Sequence, residues 1–158
     1  MPYRMRRADL LDDDDVETIL ELHRQTFEPT DPLPDMTYGT WWLCYPEGAH
    51  DPVAFCGICQ SSYGPDYGYL KRAGVRSDHW GHGLHRRMIA LRERQARREG
   101  WHAVITDTTD NPTSANNLIR CGYRLFTPDV PWGMKTSLYW RKPMVPRCAT
   151  GPATSTKT

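Results

Sequence analysis

The chain has 158 residues, enough for one domain and few for two. At 39% hydrophobic and 11% aromatic it can pack a core, which excludes wholesale disorder, and no apolar run of about 18 residues suggests a membrane span. The net charge of +1 hides an asymmetry: residues 1–66 hold 13 Asp/Glu and 4 Lys/Arg, residues 67–158 hold 6 and 16, so a basic half suited to an anion follows an acidic half suited to a cation.

The first ten residues, MPYRMRRADL, are basic and lack the apolar stretch of a secretory leader. Tyr3 to Ala8 alternates weakly and reads as a strand. The acidic run Asp12–Asp15 precedes Val16, Ile19, Leu20, Leu22 and Phe27, whose spacings of three and four predict an amphipathic helix with acids at its positive end. Glu28 to Pro34 carries three prolines and reads as a loop or a short helix start. Thr40–Tyr45, Pro52–Ser62 and Tyr67–Val75 read as strands. His79–Gly83 is a glycine-punctuated loop, and a helix follows from about Gly83 to Glu99, capped by Gly100. Its apolar side is Leu84, Met88, Ile89, Leu91 and Ala96, and its arginines, Arg92 among them, fill the remainder as a solvated face.

Trp101–Asp107 reads as a strand, Asp110–Thr113 as a turn and Ser114–Cys121 as a helix ended by Gly122. Tyr123–Phe126 and Ser137–Lys142 are the last strands, and residues 145–158 read as a disordered tail after a single domain over 1–144. The order is β-α-(α)-β-β-β-α-β-α-β-β, with one βαβ unit over 67–107 that forces a parallel pair into an otherwise antiparallel sheet. The five cysteines are scattered and odd in number, which fits reduced thiols and a cytoplasmic protein better than a disulfide framework.

The informative segment is Val75-Arg76-Ser77-Asp78-His79-Trp80-Gly81-His82-Gly83-Leu84-His85-Arg86-Arg87. A strand, a glycine loop and a basic-rimmed helix together make an anion site, because the first helical amides are unpaired donors and the dipole favours negative charge. After Gly83 come one helix, one strand and then Asn111-Pro112-Thr113-Ser114-Ala115-Asn116-Asn117-Leu118-Ile119-Arg120-Cys121-Gly122-Tyr123. The pair of segments resembles the Gcn5-related N-acetyltransferase (GNAT) superfamily. The first is similar to its Arg-Gly-x-Gly-x-Gly/Ala acetyl-CoA motif, the second to its Asn-x-x-Ala/Ser helix ending in Gly-Phe/Tyr. The order of elements over residues 3–142 is similar as well, with specific motifs over about 65–125.

The resemblance implies an α+β fold, a mixed, mostly antiparallel sheet of about seven strands with helices on both faces in α/β/α layers. It implies acetyl transfer from acetyl-CoA to a primary amine by direct attack in a ternary complex, with no metal. The amides of Gly81, His82, Gly83, Leu84 and His85 would hold the pyrophosphate, Arg86 or Arg87 would reach the phosphates, and the edge at Ala73, Gly74 and Val75 would bond the pantetheine arm. Asn111, Ser114 and Leu118 share one side of their helix and would face the pantetheine and thiol. The departures are Trp80 and His85 in the loop, Leu118 where many members place a tyrosine acid, and Thr106 where some place a glutamate base. Two acid/base roles are thereby empty. Asp107 is the candidate proton relay and Ser114 the candidate donor to the thiolate. On the acceptor side Glu28, Asp31 and Asp35 stand beside Tyr38 and Trp41, with Trp132 later in the chain, which favours a cationic, partly apolar amine.

Competing readings are a catalytically silent acyl-CoA-binding or regulatory module and a nucleic-acid-associated protein using the arginines of helix 83–99. His79, His82 and His85 stand at metal-like spacing but diverge at a turn entering a helix. Cys56 and Cys59 lie in a strand, where residues three apart face opposite ways. A homodimer is compatible with the sequence.

Overall fold

A computed structural model describes residues 2–145. The disordered tail expected over 145–158 lies, apart from Val145, outside the described residues. Seven strands form one sheet in the order β1-β2-β3-β4-β5-β7-β6: β1 (Tyr3–Arg7), β2 (Thr40–Pro46), β3 (Ala54–Gln60), β4 (Tyr67–Val75), β5 (Ala103–Thr109), β6 (Arg124–Leu125) and β7 (Ser137–Pro143). Only β4 and β5 pair in parallel. Helix α1 (Asp13–Thr26) covers one face, α2 (Leu84–Glu99) and α3 (Pro112–Arg120) the other. The expected α+β fold in three layers is therefore the observed one.

Two details depart from the sequence reading. The bracketed second helix before β2 is absent: residues 27–39 form turns and bends, since Pro29, Pro32 and Pro34 each remove a helical donor. A single 3-10 turn, Ser77–His79, instead opens the glycine loop. Asp12 caps α1 by accepting from the Asp14 amide, whereas Asp15 is buried and paired with Arg6 of β1 at 2.7 Å. That bond holds the Asp15 carboxyl below the usual carboxylate range, so the acidic run both caps the helix and pins it to the sheet edge.

Helix α2 buries Leu84, Met88, Ile89 and Ala96 against the sheet, and Gly100 closes it in the left-handed region at φ 75°. Arg92 departs from the expected solvated face. It is 3% exposed and donates to the carbonyls of Met88 (3.1 Å), Lys71 (3.1 Å) and Gly57 (3.4 Å). Glu93 is buried too, held by Lys142 at 2.8 Å and by the Tyr123 hydroxyl. Buried charges persist only when bonded in this way.

β3 and β4 pair Cys56 with Ala73 but Ile58 with Leu70, so Lys71 and Arg72 together oppose Gly57. This β-bulge re-aims side chains. Leu70, Ala73 and Val75 pack on the α2 side. Both Lys71 and Arg72 turn to the α1 side, where Lys71 lies over Tyr38 and Arg72 reaches His23. Cys56 packs on the α2 side and Cys59 beside Gly39, and burial raises both thiols, Cys56 to about 11. They behave as small apolar groups.

Gly57 lies against the Trp41 indole, where an added Cβ would come within 2.6 Å of the ring. Trp41 is 0% exposed and cannot step aside. Gly57→Ala should cost about 1–3 kcal/mol by overpacking, read as a lower urea midpoint; an unchanged midpoint would show that β2 and β3 can slide apart.

Burial, reinforced by Arg92, pulls His85 from its ordinary 6.5 down to about 4. The unfolded chain then binds a proton that the folded chain refuses. Its contribution to stability is complete above pH 6.5 and is lost as pH falls toward 4. His85→Gln should flatten the fall of the melting temperature across that window, and a curve parallel to that of the unsubstituted protein would disprove the assignment.

Candidate active site

The β4–β5 ladder covers only Tyr67–Tyr69 against Ala103–Ile105, although β4 continues to Val75 and β5 to Thr109. Among the described residues, β4 past Tyr69 has β3 on one side and no strand on the other, and β5 past Ile105 has only β7. An opening therefore separates the ends of the two central strands. The Arg76 amide donates to the Val53 carbonyl, which makes Ala54–Val75 a non-hydrogen-bonded pair of the antiparallel ladder. Cys56–Ala73, two residues along, has the same phase. The peptide groups of Ala73 and Val75 thus face the opening.

Side chains claim some of these edge groups. Thr106 Oγ1 donates to the Leu70 carbonyl at 3.1 Å, Arg92 to that of Lys71, and Trp80 Nε1 to that of Val75 at 2.9 Å. Trp80 is 67% exposed, so its indole is pinned at the mouth of the opening with its ring in solvent. Among the described residues no side chain takes the Ala73 groups or the Val75 amide. Gly74 faces the other way: a Cβ there would collide with Thr26 Oγ1 and, at 2.7 Å, with Phe55, so its bareness serves the packing of α1.

Below the mouth, Gly81 (φ 81°) and Gly83 (φ 72°) are left-handed. A Cβ on Gly81 would meet nothing within 4 Å, and one on Gly83 only the Arg86 guanidinium at 3.8 Å. The loop is shaped by backbone conformation, not by crowding, and it presents open backbone. Gly83 is the N-cap of α2 and supplies no side-chain cap, so the amides of the first turn are left for an outside acceptor. Arg86 is exposed beside them, while Arg87 is turned to the Tyr3 carbonyl at 3.1 Å. Tyr3 also bonds His79 Nδ1 at 2.9 Å and lies against the His82 ring. Among the described residues no group of three or more His, Cys, Asp or Glu is placed to hold a metal ion.

On the α2–α3 side, the Asn111 side chain accepts from the Ser114 amide at 3.0 Å and caps α3. Ser114 is half-buried in the first turn. Leu118 is buried in the core with Leu84 and Met88.

On the α1 side, Asp107 Oδ1 accepts from the Tyr69 hydroxyl at 2.5 Å and from Trp132 Nε1 at 2.8 Å. Burial, then the Asp107 charge, raises the Tyr69 phenol well above its usual value, so it stays a donor. Trp132 is 37% exposed and packs edge-on to Tyr139 at 4.6 Å, with Tyr63 and Phe126 around it. Tyr38 is exposed under the Lys71 ammonium. Trp41 forms no part of this surface: it is fully buried, with its indole N–H on the Tyr38 carbonyl. The loop acids serve local turns, Asp31 accepting from the Glu28 amide and Asp35 from Thr37, while Glu28 is exposed. Tyr69, Lys71, Arg72, Arg92 and the contact of Trp80 were not singled out from the sequence. Trp80 stood out there only as a departure from the motif, and the others required the bulge and the strand pairing to be known.

Residues 11–123 match the family model described as the acetyltransferase (GNAT) family. Among curated proteins none matches the chain. Solved structures share its fold. Nourseothricin acetyltransferase is 20% identical with a TM-score of 0.66, the alignment covering 92% of this chain and 100% of that one. The ribosomal-protein-S18-alanine N-acetyltransferase of Escherichia coli is 11% identical with a TM-score of 0.68, covering 90% and 94%. A chain of the NatC complex bound to Gag peptide and CoA is 12% identical with a TM-score of 0.73, covering 92% and 100%.

Proposed function

Because the chain belongs to the acetyltransferase (GNAT) family, whose members use acetyl-CoA and act on an amine acceptor, we propose that the β4–β5 opening receives the pantetheine arm and that the amine attacks from the α1 side. The observation that carries this reading is the coincidence of three features at one place: an unpaired β4 edge at Ala73 and Val75, the Gly81–Gly83 loop, and the uncapped start of α2. The amides of Gly81, His82, Gly83, Leu84 and His85 would hold the pyrophosphate, with Arg86 reaching the phosphates. Arg87 joins it by leaving the Tyr3 carbonyl. Trp80 must release the Val75 carbonyl for the whole edge to be used. The Asn111 cap holds the start of α3, and with it Ser114, against the thiol end of the arm, and Leu118 backs that wall from the core.

The chemistry needs a neutral amine at the thioester carbonyl. The amine forms its C–N bond as a proton leaves nitrogen; the tetrahedral intermediate collapses, and the CoA thiolate departs and is protonated. Asp107 stands where the first proton must go. Tyr69 and Trp132 fix Oδ1, and among the described residues Oδ2 accepts nothing, so it is the atom offered to the ammonium or to a relaying water. Tyr69 and Trp132 are positioning residues for that carboxylate. Ser114 Oγ, half-buried in the first turn of α3, would serve the second proton. Tyr38 and Trp132 give aromatic surface to the acceptor's carbon skeleton, and Glu28 adds negative charge to the approach of a cationic amine.

Release of thiol from acetyl-CoA in the presence of an amine library tests the activity, and absence of release with every amine would leave only a silent acyl-CoA-binding module. Gly83→Glu should abolish CoA binding in calorimetry, because it forces a carboxylate and a strained backbone into the phosphate loop. Undiminished affinity in a folded variant would overturn the loop assignment. Asp107→Asn keeps the acceptors for Tyr69 and Trp132 but removes the base; turnover should fall about tenfold or more at unchanged CoA affinity. Equal turnover would make solvent the base.

A further inference from the structure

We propose that the acceptor is a short zwitterion, an amine that also carries a carboxylate, as an amino acid does, and that Lys71 with Arg72 takes the carboxylate; this rests on the acetyl-transfer reading above. The juxtaposition follows from the bulge. A regular strand would send Lys71 and Arg72 to opposite faces. The extra residue opposite Gly57 puts both cations on the α1 side, two and three residues beyond Tyr69, the last residue of β4 paired with β5. Tyr69 holds Asp107, so a base for the amine and a pair of cations flank the same end of the opening. Along β4 the backbone of Tyr69, whose hydroxyl holds the base, and that of Lys71 are two residues apart, roughly 7 Å at the rise of a strand. Anchors on neighbouring positions of one strand suit a small molecule whose ammonium and carboxylate are a few bonds apart.

No carboxylate among the described residues lies within ion-pairing distance of either cation. The Lys71 ammonium lies 3.6 Å from the centre of the Tyr38 ring and 5.1 Å from that of Trp41, and it donates only to the Asp35 carbonyl, at 3.2 Å. The Asp35 carboxylate accepts from Thr37 and, with the Lys71 charge as a smaller contribution, is held below the usual carboxylate range, but it makes no ion pair with Lys71. Arg72 lies over Phe27 and donates to His23 Nε2 at 2.6 Å, which leaves most of its donors unused. Burial, then Arg72 itself, keeps His23 uncharged, so it accepts from the guanidinium and does not offset it. Neither cation takes part in an ion pair among the described residues. Two cations from consecutive residues of one strand, each held over a ring face and neither in an ion pair, offer donors to an anionic group.

The experiment measures kcat/KM for acetyl transfer to a set of α-amino acids, each paired with its decarboxylated amine. At least one pair should show a preference of tenfold or more for the amino acid. For that pair Lys71→Gln should bring the ratio toward one through KM, Lys71→Glu should invert it, and Lys71→Arg should retain it. Matched melting temperatures exclude a folding defect. Equal kcat/KM within every pair, or a ratio unmoved by Lys71→Gln and Lys71→Glu, would overturn the proposal while leaving acetyl transfer to amines intact. Failure of every compound to release CoA would overturn both.

Discussion

β4 and β5 share a parallel ladder for three residues and then have no ladder between them, and the site is a consequence of that interruption. In a continuous sheet each of these strands would satisfy the other's peptide groups, and no central edge would be available to a ligand. Here β4 keeps β3 and β5 keeps β7, so each strand stays anchored on its outer side while its inner side is open. The exposed carbonyls do not all wait for water. Thr106, Arg92 and Trp80 reach in from β5, α2 and the glycine loop and take those of Leu70, Lys71 and Val75. What is left for a ligand is a short run around Ala73 and Val75, leading directly to the left-handed loop and the start of α2.

The bulge at Lys71–Arg72 divides the chemistry between the two faces. On the α2 face Arg92 holds the carbonyls of Lys71 and Gly57 on either side of the irregularity. A guanidinium without a carboxylate at that depth is tolerated because its donors meet three backbone carbonyls. On the α1 face the same irregularity delivers two cations side by side, over aromatic rings that accept them without neutralising them. On the proposed reading, cofactor phosphates and acceptor would be addressed from opposite sides of one strand.

Much of this was legible in the sequence. The periodicity of α1 and α2, the glycine at each end of α2 and the βαβ unit follow from local rules, in which a residue's neighbours three or four positions away decide its environment. The seven strands and the place of the glycine loop follow likewise. The bulge was not legible, because a strand with one extra residue has the same composition as one without. Nor was the burial of Arg92, whose partners Lys71 and Gly57 are 21 and 35 residues away. The prolines of residues 27–39 signalled a break but did not say that no helix would form. The aromatics near the acceptor side could not be sorted from composition: Trp41 proved to be core and Trp132 surface.

By itself, then, the amino-acid order determined most of the elements, the layers and the glycine turn, since hydrophobic spacing, helix caps and glycine conformation are properties of short stretches of chain. Only the tertiary structure decided what the site's side chains do. Asp107 became an oriented carboxylate because Tyr69 and Trp132, 38 and 25 residues away, arrive at one of its oxygens. Lys71 and Arg72 became neighbours on one face because the pairing of β3 with β4 slips by a residue. Both depend on contacts made across the sheet, where packing, rather than any local preference, selects the register.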